Sequence, residues 1–266
     1  MPNLEEIIES DDIPHLRSPR LINRTFEEDE ILLIPLGDIH IGSSECDEKL
    51  LKETLEWIEK KPNTYMVGMG DYMENATRDS VSDIYSQTTP PMEQMYKLRD
   101  MLLPLAKKGK ILGLLRGNHE IRTYKAMGFE PTVMLCDLLD VPYMGDAQFI
   151  KLRVGKQNYH IYAIHGASSA WTSGGKLNSL MRMAQVADAD IYLMGHVHEL
   201  ASHSRPMLRI DNRNKTIVQR KQYFVLTGHF LDYMDSYAQR RTYPIGKKGV
   251  ARIELSGDKW DTHVST

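Results

Sequence analysis

Five short segments of the chain carry side chains able to bind a metal: Asp38-Ile39-His40, Gly70-Asp71, Gly117-Asn118-His119-Glu120, His165-Gly166 and Gly195-His196-Val197-His198. Their donors are carboxylate oxygen, amide oxygen and imidazole nitrogen, with no thiolate. That set suits manganese, zinc, iron or magnesium better than copper(I) or an iron–sulfur cluster. Asp38, His40, Asp71, Asn118, His165, His196 and His198 make seven candidate ligands, too many for one tetrahedral ion. Two divalent cations sharing one carboxylate accommodate them, and such pairs stand ~3.5–4 Å apart in hydrolytic sites. Taken singly, each segment also has a packing explanation: Asp-x-His as a turn or cap, a lone histidine as a core ring. Their joint occurrence at the ends of apolar runs favours ligation.

Those runs are the elements that must do the positioning. Ile31–Leu36 stops at Gly37-Asp38, Tyr65–Met69 at Gly70-Asp71, Ile111–Leu115 just before Gly117, Tyr159–Ile164 at His165, and Ile191–Met194 at Gly195-His196. Each reads as a buried strand. Leu51, Leu55 and Ile58 fall at helical spacing, and the stretches 92–106 and 176–187 also read as helices. Gln148–Val154 and Tyr159–Ile164 form a hairpin pattern, and 202–211, 216–227 and 249–255 read as further strands. Strands alternating with helices predict an α/β fold, in which ligands gather beyond the carboxyl ends of strands.

The 266 residues are 41% hydrophobic, which suits one domain with a real core. Two cysteines, Cys46 and Cys136, make no disulfide framework. No apolar run approaches the ~18–20 residues that cross a bilayer, and the N-terminus lacks a signal-peptide pattern, so a cytoplasmic protein without a membrane partner is expected. Net charge is only −3, but residues 1–30 carry nine acidic and three basic side chains, while 201–266 carry twelve basic and six acidic ones. The basic end faces either a polyanion or simply solvent. Residues 1–30 read as an acidic N-terminal extension, and 31–266 as the single domain.

From Leu36 to His198 the order of motifs resembles that of the calcineurin-like metallophosphoesterase superfamily: D-x-H, G-D-x-x-[DE], G-N-H-[DE], H and G-H-x-H. The resemblance implies two facing mixed β-sheets flanked by helices, a four-layer α/β/β/α sandwich with a dimetal site at the C-terminal strand ends. It implies one metal on Asp38, His40 and His198, and a second on Asn118, His165 and His196, with Asp71 bridging. His119 would face the phosphoryl group, oriented by Glu74. The implied chemistry is phosphoester hydrolysis by metal-activated water, with manganese expected first and zinc, iron or magnesium as alternatives.

The phosphoester itself is less legible. Leu115-Arg116-Gly117-Asn118-His119-Glu120 resembles serine/threonine phosphoprotein phosphatases, yet their second motif continues Asp-Arg-Gly, whereas this chain reads Gly70-Asp71-Tyr72-Met73-Glu74-Asn75-Ala76 without that phosphate-holding Arg. Gly37-Asp38-Ile39-His40-Ile41-Gly42 is similar to the opening of DNA-repair exonucleases in the same superfamily. A phosphodiesterase or nuclease acting on nucleic acid or nucleotides is therefore expected, against a phosphomonoesterase, a phosphoprotein phosphatase or a non-catalytic scaffold. Between His229 and Tyr243, arginines interleave with aromatics. Arg240 and Arg241 either pair substrate phosphate beside stacking tyrosines or belong to a polar connection before the last strand. Gly174-Gly175-Lys176 lacks the spacing and following Ser/Thr of a P-loop. His229, at a strand end after glycine, is the least assignable of the other histidines.

Overall fold

The computed structural model describes residues 21–77, 84–211 and 214–266. The chain runs β1 (Leu21–Phe26), β2 (Glu30–Leu36), α1 (Glu48–Lys60), β3 (Thr64–Gly68), α2 (Pro91–Lys107), β4 (Ile111–Leu114), α3 (Asn118–Met127), α4 (Pro131–Leu139), β5 (Ala147–Val154), β6 (Gln157–Ile164), α5 (Ser173–Met181), β7 (Ile191–Met194), β8 (Leu200–Asp211), β9 (Thr216–His229), α6 (Tyr237–Arg240), β10 (Gly249–Val250), β11 (Arg252–Ser256) and β12 (Thr262–Ser265). Among the described residues, one sheet has five strands in the order β12-β11-β2-β3-β4. The other has seven, in the order β1-β5-β6-β7-β9-β10, with β8 pairing on β9.

The architecture follows from where the apolar residues point. β2–β3 and β6–β7–β9 pair in parallel, and β7 is buried along its whole length, as a central parallel strand must be. Leu33, Val67, Ile150, Ile161, Leu193, Val225 and Ile253 fill the space between the sheets. Leu51, Leu55 and Ile58 of α1, with Leu98 and Leu102 of α2 and Leu135 of α4, cover the outer face of the five-stranded sheet. Leu180 of α5 covers Tyr192, Phe224 and Leu226 on the other. The result is the expected four-layer α/β/β/α sandwich. Asp47 caps α1 by accepting the Leu50 amide at 3.0 Å, satisfying one of the donors a helix start leaves open.

The sheet begins earlier than the sequence predicts. Leu21–Phe26, inside the stretch read as an acidic extension, pairs in parallel with β5 and buries Ile22 and Phe26. Only two of its six residues are buried, so its hydrophobic pattern is too thin to detect locally, and the partner strand supplies the order. Residues 1–20 of that acidic stretch lie outside the described residues. α4, β12 and the short helix α6 are likewise found only in the structure, and α5 starts at Ser173 and gives way after Met181 to a 3-10 turn. Among the described residues, no helix is long and apolar enough to cross a membrane.

Candidate metal centre

Five strands deliver the motif residues to one rim. Asp38 and His40 leave β2, Asp71 leaves β3, Asn118 and His119 open α3 after β4, His165 leaves β6, and His196 and His198 leave β7. The register of the two sheets turns a sequence separation of 158 residues into contact: the Nε2 atoms of His40 and His198 stand 3.3 Å apart. The Asp38 carboxylate lies 3.4 Å from His198 Nε2. A second group forms around Asn118, whose Oδ1 is 2.9 Å from His165 Nε2 and 2.7 Å from His196 Nδ1. Asp71 Oδ2 reaches both groups, at 3.3 Å from His165 Nε2 and 3.9 Å from His40 Nε2. Within each of the sets Asp38/His40/His198, Asp71/His165/His196 and His40/Asp71/His119, donor atoms lie within 4.8 Å of one another.

The donor chemistry fits a cation. His165 Nδ1 faces the Met69 carbonyl at 2.7 Å, so in the neutral ring the proton sits there. Its Nε2 lone pair then confronts the oxygens of Asn118 and Asp71, two more acceptors with no donor between them. Positive charge is what such a point lacks. Burial opposes protonation of His165, but the Asp71 charge and hydrogen bond outweigh it and push the ring up to about 10. Burial likewise opposes protonation of His40, yet Glu74 and Asp71 carry it up to about 9. The carboxylates thus draw protons into places that divalent ions can take.

The backbone at this rim is strained. Of the eleven non-glycine residues with positive φ among those described, Asp38, His40, Asp71, Asn75, His196 and His198 stand in these loops, so six of the costly conformations serve one place. Glu120 holds two of the loops together. Fully buried, it accepts the backbone N–H groups of Asp71 (3.1 Å), Tyr72 (2.9 Å), Met73 (3.2 Å) and Gly117 (3.0 Å). Burial and the Asp71 charge push its carboxyl up to about 7, against the four amides that favour the charged form. Gly117 has no room for a side chain, since a Cβ there would collide with the backbone nitrogen of Asp71.

His119 lies at the inner edge, 3.8 Å from Asp71 Oδ2. Burial pushes its ring down to about 4, and its Nδ1 donates to the Glu74 backbone carbonyl at 2.7 Å. The Glu74 carboxylate stands 3.3 Å from His40 Nδ1 and 3.7 Å from His119 Nδ1. Glu74 therefore touches His119 mainly through its main chain, and its carboxylate lies closer to His40.

A family model for calcineurin-like phosphoesterases matches residues 33–229, which include every one of these candidate ligands. The chain belongs to the calcineurin-like phosphoesterases. It is a hydrolase of phosphoester bonds, and family membership implies divalent metal ions, for which the clusters above are the candidate ligands. Solved structures resemble the chain at low identity and with TM-scores below 0.5. A metallophosphoesterase from Sphaerobacter thermophilus is 11% identical, with 89% of this chain and 88% of that one covered and a TM-score of 0.39. A predicted phosphoesterase from Streptococcus pneumoniae TIGR4 is 15% identical, with 89% and 90% covered and a TM-score of 0.38. Zinc-bound Vps29 from Entamoeba histolytica is 14% identical, with 88% and 97% covered and a TM-score of 0.41. No curated protein matches the chain.

Other side chains of this phosphoesterase fall into place around the centre. Arg116, from the same run as Asn118, turns away to form a bidentate pair with Asp146 (both 2.8 Å) and a contact with Glu130 (3.2 Å). Arg240 and Arg241 are exposed at the end of α6, outside the ligand groups; Arg240 donates to the Asp235 carbonyl and Arg241 lies over the Tyr237 ring at 5.5 Å. Their loop is fixed to the rim, because Phe230 N–H donates to the Asp38 carbonyl at 3.1 Å and Asp232 N–H to that of Glu45 at 2.7 Å. His229 is buried with its ring 5.4 Å from His198, and burial with that neighbour pushes it down to about 3. Its one signal in the sequence is a position at a strand end after glycine.

Proposed function

We propose that this phosphoesterase cleaves phosphodiesters in nucleic-acid or nucleotide substrates with two divalent cations, manganese foremost. The observation that carries the reading is the position of Asp71, shared between two ligand groups at 3.3 Å from His165 and 3.9 Å from His40. Asp38, His40 and His198 would hold one cation and Asn118, His165 and His196 the other, with Asp71 standing between the two groups. Bound cations supply Lewis acidity toward the phosphoryl oxygens and make water acidic enough to attack near neutral pH. The Glu74 carboxylate fixes the His40 ring from behind, as ligand-supporting carboxylates do.

His119 keeps its Nδ1 proton on the Glu74 carbonyl, which leaves Nε2 facing the reacting phosphorus. Burial makes the free ring a weak base, but an anionic phosphoester beside Nε2 raises its proton affinity. The protonated ring then gives that proton to the leaving ester oxygen. A water oxygen bonds to phosphorus, the ester P–O bond breaks, and the products are a phosphomonoester and an alcohol. Diesters are favoured over monoesters because Asn75, uncharged and buried, follows Glu74 where phosphoprotein phosphatases carry their arginine. Exposed Arg240 and Arg241 add phosphate contacts beyond the scissile one.

The test is a substrate panel with Mn, Zn, Fe and Mg supplied separately, pairing bis-aryl with mono-aryl phosphates and adding single- and double-stranded DNA, RNA and a phosphopeptide. The expected result is faster turnover of diesters, with label from heavy-oxygen water appearing in the phosphate product. Preference for mono-aryl phosphate or phosphopeptide overturns the diester assignment. Full turnover and full metal content in Asp71→Ala overturn the site.

A further inference from the structure

Beside the metal centre, two rim loops bring together aromatic rings that neither the core nor the ligand chemistry requires. Trp171 follows His165 by six residues, on the loop that leads into α5, and it is 50% exposed. Its ring meets Tyr243 edge to face, with centroids 4.9 Å apart and planes at 69°. Tyr243 is 41% exposed and in turn meets Tyr237 at 6.0 Å and 67°. The Arg241 guanidinium lies over Tyr237 at 5.5 Å.

Both loops are tied to residues next to the metal ligands. Glu199, which follows His198, accepts from Ser173 Oγ and Lys176 Nζ at 3.0 Å each, and so fixes the start of α5 two residues beyond Trp171. Gly246, three residues after Tyr243, packs against the His198 carbonyl and the His229 ring so closely that a Cβ would not fit. The Tyr243 carbonyl also accepts the Tyr233 hydroxyl at 2.9 Å. The half-exposed rings are therefore tethered to residues flanking His198, with the Arg241 charge over the neighbouring Tyr237 ring. Positive charge along a backbone path together with open aromatic faces is the combination that binds unpaired nucleotides.

We propose that Trp171 and Tyr243 form a stacking platform for an unpaired nucleobase next to the scissile phosphate. This rests on the reading of the enzyme as a nucleic-acid or nucleotide phosphodiesterase, and it narrows the substrate to single strands, frayed ends or free nucleotides. A base inside a duplex has both faces covered by its neighbours and offers none to an indole. Stacking on a protein aromatic is sequence-tolerant, so the platform selects for the presence of a base and not for its identity.

The experiment compares two single-stranded oligonucleotides with the same number of phosphates, one carrying bases and one abasic throughout, with Mn²⁺ present. The readout is the ratio of their kcat/KM values. Wild type should prefer the base-bearing strand, and Trp171→Ala should reduce that ratio by about 5- to 150-fold, the range expected for one stacked base. Trp171→Phe, which keeps an aromatic ring on the Tyr243 edge, should recover part of it. Leu208→Ser, an exposed change ~30 Å along β8 from the rim, should leave the ratio at the wild-type value. Without metal, the base-bearing strand should quench tryptophan fluorescence in wild type, and Trp171→Phe should lose that quench. An unchanged ratio in Trp171→Ala, with the strand still cut, overturns the platform while leaving the phosphodiesterase reading intact. If neither oligonucleotide is cut while aryl phosphates are, the nucleic-acid reading falls and the platform with it.

Discussion

Replacing Glu120 by glutamine tests how the centre is held together. Each Glu120 oxygen accepts two buried amides: Oε2 those of Asp71 and Gly117, Oε1 those of Tyr72 and Met73. Glutamine keeps the shape but only one acceptor oxygen, so in either orientation its NH₂ faces two N–H groups. Two orphaned buried donors cost about 2–6 kcal/mol, roughly a 5–20 °C loss in Tm for a chain of this size. One effect opposes this: the carboxylate is itself disfavoured by burial and by the Asp71 charge, which push it up to about 7. If that effect were the larger, Glu120→Gln would match or exceed wild type. Four converging donors with no competing acceptor decide for destabilisation. Mn²⁺ should widen the gap, because cations on Asp71 remove the main charge opposing Glu120. Thermal unfolding with and without Mn²⁺, alongside metal titration, reads the outcome. An unchanged or higher Tm with unchanged metal affinity would refute the reasoning.

Three further expectations are simpler. His119→Asn should keep its bound metal and lose about 10²–10⁴-fold in kcat, the usual scale of general acid–base contributions; loss of metal instead would make His119 a ligand. Gly117→Ala should lose metal binding, because its Cβ and the Asp71 backbone claim the same space, and a wild-type metal isotherm would contradict the close packing of the two loops. Asp47 is held below the usual carboxylate range by the Lys248 ammonium and the Leu50 amide. Its contribution is therefore present above about pH 4 and lost as pH falls through its lowered folded-state pKa. Asp47→Ala should cost about 1 kcal/mol at neutral pH, and the two proteins should converge in acid; parallel curves would rule out that linkage.

Much of this protein is written locally. Strand ends such as Ile34-Pro35-Leu36-Gly37-Asp38 announce both a buried strand and the candidate ligand that follows it, because side-chain type and a short apolar run are properties of adjacent residues. The amphipathic spacing of Leu51, Leu55 and Ile58 places α1 for the same reason. Other features exist only once the sheets are assembled. β1 is a strand because β5 offers it an edge. Glu120 reads as the last letter of a motif, yet its four amides come from a loop some fifty residues earlier and from its own turn. Glu74 divides its carboxylate and carbonyl between two histidines according to a backbone path that no periodicity encodes. Trp171 meets Tyr243 only because Glu199 and Gly246 anchor their loops on either side of His198. Donor chemistry belongs to the residue, while distances of 3–4 Å between residues far apart in the chain are set by strand register and packing, which are collective properties of the fold.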